Sequence, residues 1–159
     1  MPHIHEKIDF CAEVFIVHEG KILLRKHDKF HMWMSVGGHI ELDEDPAEAA
    51  VREVKEEVGL DVTLFDAYEP KIPDFTDGSR RVLAPRFINR HRINETHEHV
   101  AMVYFATTES TDVAIPDDSH ETVHEDDWNW FTLEELDQLD DCPENIKVYA
   151  RAAILEVTE

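Results

Sequence analysis

The sequence predicts an α/β fold, because apolar residues recur with the period of a strand in some segments and of a helix in others. Residues 7–17 and 22–24 are apolar runs separated by a polar turn that contains Gly20, which is the pattern of a β-hairpin. Helical periodicity follows over 46–58 and returns near the end of the chain, over 143–157. We therefore expect a sheet with helices packed against it.

The helix at 46–58 has recognisable start and stop signals. Asp45 can cap the first turn, and Glu48, three residues later, completes a capping box. Pro46 already has the backbone angle of a first helical turn, and Gly59 can adopt the left-handed conformation that closes a helix. The signals together predict a helix of about 13 residues.

Two separate faces are predicted on this helix. One face carries three glutamates, Glu53, Glu56 and Glu57, about a third of a turn from the apolar stripe. They are called the box glutamates below and are distinct from Glu48 of the capping box. The apolar stripe, which we expect to pack against the sheet, consists of Ala47, Ala50, Val51, Val54 and Val58.

The box glutamates repel one another by roughly 0.2 to 0.5 kcal/mol per pair, so removing the charge of Glu57 is expected to stabilise the metal-free protein slightly. Arg52 lies one turn before Glu56 and can neutralise part of the charge. A hard divalent cation, Mg²⁺ or alternatively Mn²⁺, would offset the rest, because the donors are all oxygen. The competing interpretation is a solvated acidic helix face.

The middle of the chain alternates between regular and irregular segments. Residues 61–67 read as a strand, whereas 69–96 contain prolines that mark turns. A longer strand is predicted over 97–107, with His97 and His99 on one face. These histidines could share a metal, although polar residues at the mouth of a strand are the favoured interpretation.

The last third of the chain continues the pattern. Residues 112–127 are acidic and predicted to form a loop, and 128–131 are predicted to form a short strand. Thr132 and Glu135 form a capping box that opens a helix. The apolar stripe of the final helix, 143–157, is interpreted as core or as a dimer surface.

Composition narrows the functional classes. The net charge of −21 disfavours long nucleic acids as partners, because such binding depends on basic side chains that displace counterions. A small phosphorylated substrate is compatible with the charge. No apolar run approaches the roughly 18 residues of a membrane helix, and the first residues have no hydrophobic signal region. We therefore expect a cytoplasmic protein that does not bind a membrane.

Length and cysteine usage complete this picture. The 159 residues predict a single domain spanning residues 1–159. Cys11 and Cys142 fit neither a disulfide framework nor a metal-ligand spacing. They are predicted to be a buried thiol and a surface thiol, respectively.

The segment 38–60 reads GHIELDEDPAEAAVREVKEEVGL and contains the fixed positions of a known motif. It resembles the Nudix box, so the chain resembles the Nudix hydrolases, which cleave nucleoside diphosphates linked to another group. The matching positions are Gly38, Glu44, Arg52, Glu53, Val54, Glu56, Glu57, Gly59 and Leu60.

The resemblance implies a Nudix-type α/β/α sandwich with a central mixed β-sheet, the helix at 46–58 on one side and the C-terminal helix on the other. It also implies a metal site in which the box glutamates and the Gly37 carbonyl hold Mg²⁺, while Arg52 orients the carboxylates. A glutamate of the box, or Glu98 or Glu95 outside it, would deprotonate the attacking water.

Basic residues outside the box are candidates for substrate binding. Arg25 ends the second strand of the hairpin, and five further arginines fall within 13 residues of a strongly acidic chain. The alternative is that these side chains lie on the surface and pair with nearby acids. The five are Arg80, Arg81, Arg86, Arg90 and Arg92.

Three functions remain open at this level. The favoured one is a Mg²⁺-dependent hydrolase of a nucleoside triphosphate, a nucleotide sugar or a dinucleotide. The second is a Nudix-like domain that senses nucleotide without turnover, against which the intact metal-binding motif argues. The third is an isoprenyl diphosphate isomerase, a related use of the fold, for which Cys11 has no supporting context.

Overall fold

The computed structural model describes residues 5–27, 30–67, 75–114 and 127–157. Their strands are β1 (Ile8–His18), β2 (Lys21–His27), β3 (Met32–Met34), β4 (Val36–His39), β5 (Thr63–Leu64), β6 (Phe87–Arg92), β7 (Glu98–Thr107) and β8 (Trp128–Phe131). Their helices are α1 (Pro46–Val58), α2 (Leu133–Gln138) and α3 (Glu144–Val157).

The described strands form one mixed sheet whose central order is β3-β2-β1-β7-β5. β1 and β7 run parallel, whereas β1 and β2 form the predicted antiparallel hairpin. On the edge of β1 opposite β7, residues Cys11 to Val14 pair with β4 and residues Ile16 to His18 pair with β2. In addition, β6 pairs with β7 and β8 pairs with β2.

The two faces of the sheet carry separate apolar layers. Val14 and Ile16 of β1 pack in the layer that contains α1, whereas Phe15 and Val17 point into the layer that contains α2 and α3. The predicted α/β/α sandwich with a central mixed sheet is therefore confirmed. The stripe of the last helix is core: its buried members are Ile146, Ala150, Ala153 and Ile154.

Both ends of α1 form as predicted. The Asp45 side chain accepts hydrogen bonds from the backbone N–H groups of Ala47 and Glu48, and Glu48 accepts from the Asp45 N–H. Gly59 closes the helix at φ 69°, and a Cβ there would lie 1.8 Å from the Ala114 carbonyl oxygen. Glycine is therefore required at this end for both backbone conformation and space.

The prediction of two separate faces on α1 is wrong. Val51 is 42% exposed, whereas Glu53 is only 1% exposed and Glu57 is largely buried. At about 100° per residue, both glutamates fall within the half-turn between Ala49 and Val58 that docks on the sheet. Gly37 of β4 contacts this part of the helix, because its N–H donates a hydrogen bond to Glu57 Oε2. Only Glu56 of the three is exposed.

Other differences concern short elements and one thiol. The strand predicted over 61–67 shrinks to β5, and β6 lies in the segment 69–96 that was predicted to be irregular. The strands β3 and β4 had no counterpart in the sequence prediction. Cys142 is 8% exposed, so the prediction of a surface thiol is wrong, while Cys11 is buried as predicted. Residues 68–74 and most of the predicted acidic loop, 115–126, lie outside the described residues. None of the described helices has the length and apolarity needed to cross a membrane.

Candidate active site

Gly37 brings the backbone of β4 against α1. It pairs with Glu13 of β1 at φ 149°, and a Cβ at this position would lie 2.1 Å from the Ala12 carbonyl oxygen. The Gly37 N–H donates a hydrogen bond to Glu57 Oε2 at 3.0 Å. Glycine therefore allows the close strand contact from which the backbone positions one of the box glutamates.

Arg52 connects the carboxylates of this region. Its guanidinium donates to Glu44 Oε1 at 2.6 Å, and to Glu53 Oε1 and Glu56 Oε2 at 3.0 Å each. It also donates to the His39 carbonyl oxygen at 3.0 Å, so the side chain ties α1 to the end of β4. Hydrogen bonds from Arg52 hold the pKa of Glu44 below its usual range. Arg52 thus contacts two of the three box glutamates.

Glu53 is a carboxylate removed from water. Burial raises the pKa of Glu53 to about 7, although the neighbouring Arg52 acts in the opposite direction. An anion in such a place is stabilised by any cation that can reach it. The hard oxygen donors of Glu53, Glu56, Glu57 and the Gly37 carbonyl fit Mg²⁺ in chemical type.

Glu57 is held from two sides. Arg25, in β2, donates a hydrogen bond to Oε1, and the Gly37 N–H donates to Oε2. Both charged side chains are largely buried. Arg25, predicted to meet phosphate, thus lies beside a box glutamate.

A family model of the NUDIX domain matches residues 11–152. The chain belongs to this family. The predicted class of enzyme, a Nudix pyrophosphohydrolase, is confirmed, because curated relatives carry pyrophosphohydrolase names.

Two curated relatives and one solved structure illustrate these similarities. The CTP pyrophosphohydrolase of Escherichia coli (strain K12) is 29% identical over 107 residues, 60% of this chain and 73% of that protein. The RNA pyrophosphohydrolase of Marinomonas sp. (strain MWYL1) is 30% identical over 114 residues, 71% of this chain and 68% of that protein. A Nudix-family hydrolase from Clostridium perfringens superposes with a TM-score of 0.83 at 33% identity, covering 95% of this chain and 98% of that chain.

Glu98, the predicted base outside the Nudix box, lies apart from the box glutamates. It pairs with Ile8 at the start of β1, whereas Gly37 pairs with Glu13, so roughly 16 Å of strand separates the two positions. Glu98 accepts a hydrogen bond from Arg90 Nε at 3.0 Å, and this contact lowers the pKa of its carboxyl. Glu95 is exposed between β6 and β7.

The five arginines of the Nudix chain do not form one cluster. Arg80 pairs with Asp45 and Glu48 at the start of α1. The remaining contacts are those of Arg81 with Asp66, Arg86 with Glu156 of α3, and Arg90 with Glu98, while Arg92 is exposed in β6.

Sequence reasoning missed Glu13. It lies in β1 opposite Gly37, and its Oε2 has no hydrogen-bond partner among the described residues. Burial raises the pKa of Glu13 to about 7. The available signal was a single carboxylate within an otherwise apolar run, from Cys11 to Val17. Such a residue rarely enters a sheet core unless it has a partner or a task.

Proposed function

We propose that this protein hydrolyses a phosphoanhydride bond in a small, nucleotide-derived substrate and depends on Mg²⁺, with Mn²⁺ as the alternative ion. The observation that carries the proposal is the complete Nudix box with its carboxylates held by Arg52, Arg25 and the Gly37 N–H. Such pre-arranged charges lower a reaction barrier because they need not reorganise during the reaction.

The roles follow from the contacts. Glu53, Glu56, Glu57 and the Gly37 carbonyl would hold the ion, which when bound supplies charge neutralisation at the phosphate oxygens. Arg52 keeps Glu53 and Glu56 in place, and the Gly37 N–H fixes the orientation of Glu57. Arg25 supplies positive charge beside this cluster.

We assign the general base to the cluster itself rather than to Glu98. A glutamate there would take the proton from water as the water oxygen attacks phosphorus and the bridging P–O bond breaks. The assignment follows from position, because Glu98 lies roughly 16 Å along the strand from the position of Gly37 and pairs with Arg90. Glu98→Gln tests the alternative: hydrolysis reduced at least 100-fold would return the role of base to Glu98.

Among possible substrates we favour a nucleoside triphosphate. Two relatives are named for activity on CTP and on RNA, and a nucleotide is common to both. The net charge of −21 opposes a long RNA, because each added phosphate increases the repulsion. Nucleotide sugars and dinucleotides are the alternative substrates, and the screen described next includes them.

The experiment is a product-resolved screen of nucleoside triphosphates, nucleotide sugars, dinucleotides and isoprenyl diphosphates, with Mg²⁺, with Mn²⁺ and with chelator. Cleaved nucleotide products that require the ion support the proposal. Binding without turnover would indicate the sensor, and a rearranged diphosphate would indicate the isomerase. Turnover unaffected by chelator would overturn the metal assignment.

We also propose that residues 1–159 act as one domain in the cytoplasm, with a homodimer as a possible assembly. Light scattering at several concentrations tests the oligomeric state. The stripe of α3 is already used in the core, so another surface would have to form the dimer.

A further inference from the structure

A second group of metal-ligand side chains lies on three neighbouring strands. The histidine cluster consists of Asp9, Cys11, His39, His97 and His99. Cys11 of β1 pairs with His39 of β4, and Asp9 pairs with His99 of β7. Side chains at paired positions lie on the same face of a sheet, so three strands contribute to one place, and His97 joins them just before β7.

The contacts within this cluster are short. Cys11 Sγ lies 3.3 Å from His99 Nδ1, and His39 Nε2 lies 3.3 Å from His99 Nε2. Asp9 Oδ2 lies 3.5 Å from His39 Nε2 and 3.2 Å from His97 Nε2. Two overlapping triads, Cys11–His39–His99 and Asp9–His97–His99, each bring their ligand atoms within 4.8 Å of one another.

The distances agree with those around a tetrahedral ion. With Zn–N bonds of about 2.0 to 2.1 Å, two histidine nitrogens on one zinc lie about 3.3 Å apart. The separation between His39 and His99 is 3.3 Å. A neutral imidazole has only one N–H, so His39 Nε2 cannot serve both Asp9 and His99 well as a donor. An ion between His39 and His99 would accept one lone pair from each of these rings.

Burial makes the cluster unusual for a set of surface side chains. Asp9 is 0% exposed, His97 4%, Cys11 6% and His39 8%, whereas His99 is partly exposed and leaves a route from solvent. Buried thiol, imidazole and carboxylate groups are costly unless each is paired or coordinated.

We propose that the histidine cluster binds one Zn²⁺ ion through Cys11 Sγ, His39 Nε2 and one ring nitrogen of His99, the triad whose ligand atoms lie within 4.8 Å of one another. Sulfur and nitrogen donors suit Zn²⁺, whereas Mg²⁺ prefers oxygen alone. The site uses none of the box glutamates as ligands. It would tie β1, β4 and β7 together directly after Gly37 and Gly38, and His39 is also the residue whose carbonyl accepts from Arg52.

The test uses the full chain, stripped with a chelator and titrated with Zn²⁺ against a chromophoric competitor. With excess Mg²⁺ present to occupy the box glutamates, we expect one Zn²⁺ per chain, with affinity at least tenfold weaker in Cys11→Ser and His99→Asn. Cys142→Ser is the matched control, because this second buried cysteine packs in the layer of α2 and α3. Its affinity should equal that of the parent.

Two measurements keep the test decisive. If a variant fails to fold, zinc X-ray absorption of the parent complex still reports the ligands, and one sulfur among nitrogen and oxygen donors is expected. Glu57→Gln should bind Zn²⁺ unchanged even if the chain hydrolyses nothing, so the two proposals can fail separately. Absence of stoichiometric binding, equal affinity in all variants, or zinc without a sulfur ligand would overturn the assignment.

Discussion

The box glutamates and the histidine cluster are two sets of possible metal ligands, assembled in different ways. The box glutamates come from one helix within five residues, and arginines and a backbone N–H hold them. The histidine cluster comes from segments up to ninety residues apart, and its members contact one another. Local spacing therefore reveals the first set, whereas only strand register creates the second.

Glu57→Gln should cause the largest effect, on the box glutamates alone. Loss of this carboxylate is expected to lower kcat on the order of 100-fold or more, because a charge arranged for the transition state is lost. The predicted slight stabilisation does not follow from the structure. Glu57 contacts Arg25 and the Gly37 N–H, so we expect unfolding to become easier by about 1 to 3 kcal/mol.

The measurement pairs hydrolysis at saturating Mg²⁺ with melting temperature, with and without the ion. Glu134→Gln, an exposed glutamate of α2, is the control and should match the parent. Activity within about threefold of the parent, roughly 0.7 kcal/mol on the barrier, would remove Glu57 from the metal site.

Gly37→Ala should affect both sets, because β4 connects them. The added methyl group would meet the Ala12 carbonyl oxygen, and we expect the free energy of unfolding to fall by about 2 to 4 kcal/mol. Gly78→Ala is the matched control, since Gly78 also has positive φ but no heavy atom lies within 4 Å of its Cβ position. Chemical denaturation measures the free energy of unfolding of both variants. Equal losses of stability in Gly37→Ala and Gly78→Ala would contradict the close strand contact at Gly37.

Glu13 lies two residues from Cys11 and opposite Gly37, between the two sets. Burial raises its pKa from 4.5 to about 7, so the folded protein keeps a proton that the unfolded chain releases. Stability from this group is therefore present at low pH and lost as pH rises from about 4.5 to 7. The parent loses this stability between pH 5 and pH 8, whereas Glu13→Gln has no such group to lose. The free energy of unfolding of Glu13→Gln, measured relative to that of the parent, should therefore rise by about 1 to 3 kcal/mol from pH 5 to pH 8.

Urea denaturation in chelator at both pH values measures this gain. Glu19→Gln, in the exposed hairpin turn, is the control and should follow the parent. Parallel profiles for Glu13→Gln and the parent would show that Glu13 is ionised in the folded protein.

The smallest effects are expected from the arginine segment. Arg80→Gln breaks exposed pairs at the start of α1, so stability should change by no more than about 0.5 kcal/mol. If this arginine holds phosphate, KM should rise about two- to fivefold with kcat nearly unchanged. Arg86→Gln, whose partner lies on α3, is the comparison. Unchanged kinetics in variants of all five arginines would leave the segment a surface feature.

Sequence succeeded where the signal was local. Asp45, Pro46 and Gly59 fix the ends of α1 through contacts within a few residues, and the hairpin turn does the same for β1 and β2. Periodicity also predicted the order in which residues lie around α1. It did not predict how wide an arc of the helix surface would pack against the sheet. The width depends on how α1 packs against the sheet, which buries Glu53 and most of Glu57 and leaves Val51 exposed.

The remaining misses have a common physical origin in long-range pairing. Neither Cys11 nor His99 has a metal-ligand spacing along the chain, because their contact depends on the register between β1 and β7. The buried state of Cys142 likewise depends on how the segment before α3 packs. The spacing of His97 and His99 along the chain predicts a pair, but their neighbours Asp9 and His39 belong to other strands.

The parallel pairing of β1 with β7 also has a consequence for how the chain is made. Ten residue pairs join the two strands, beginning with Ile8 beside Glu98, so the centre of the sheet closes across about ninety residues of chain. Such non-local contacts slow folding, because the intervening loop must be ordered before they form. During synthesis, β1 would therefore wait with an open hydrogen-bonding edge until the ribosome has released β7, and this interval is when the nascent chain is most exposed to mispairing.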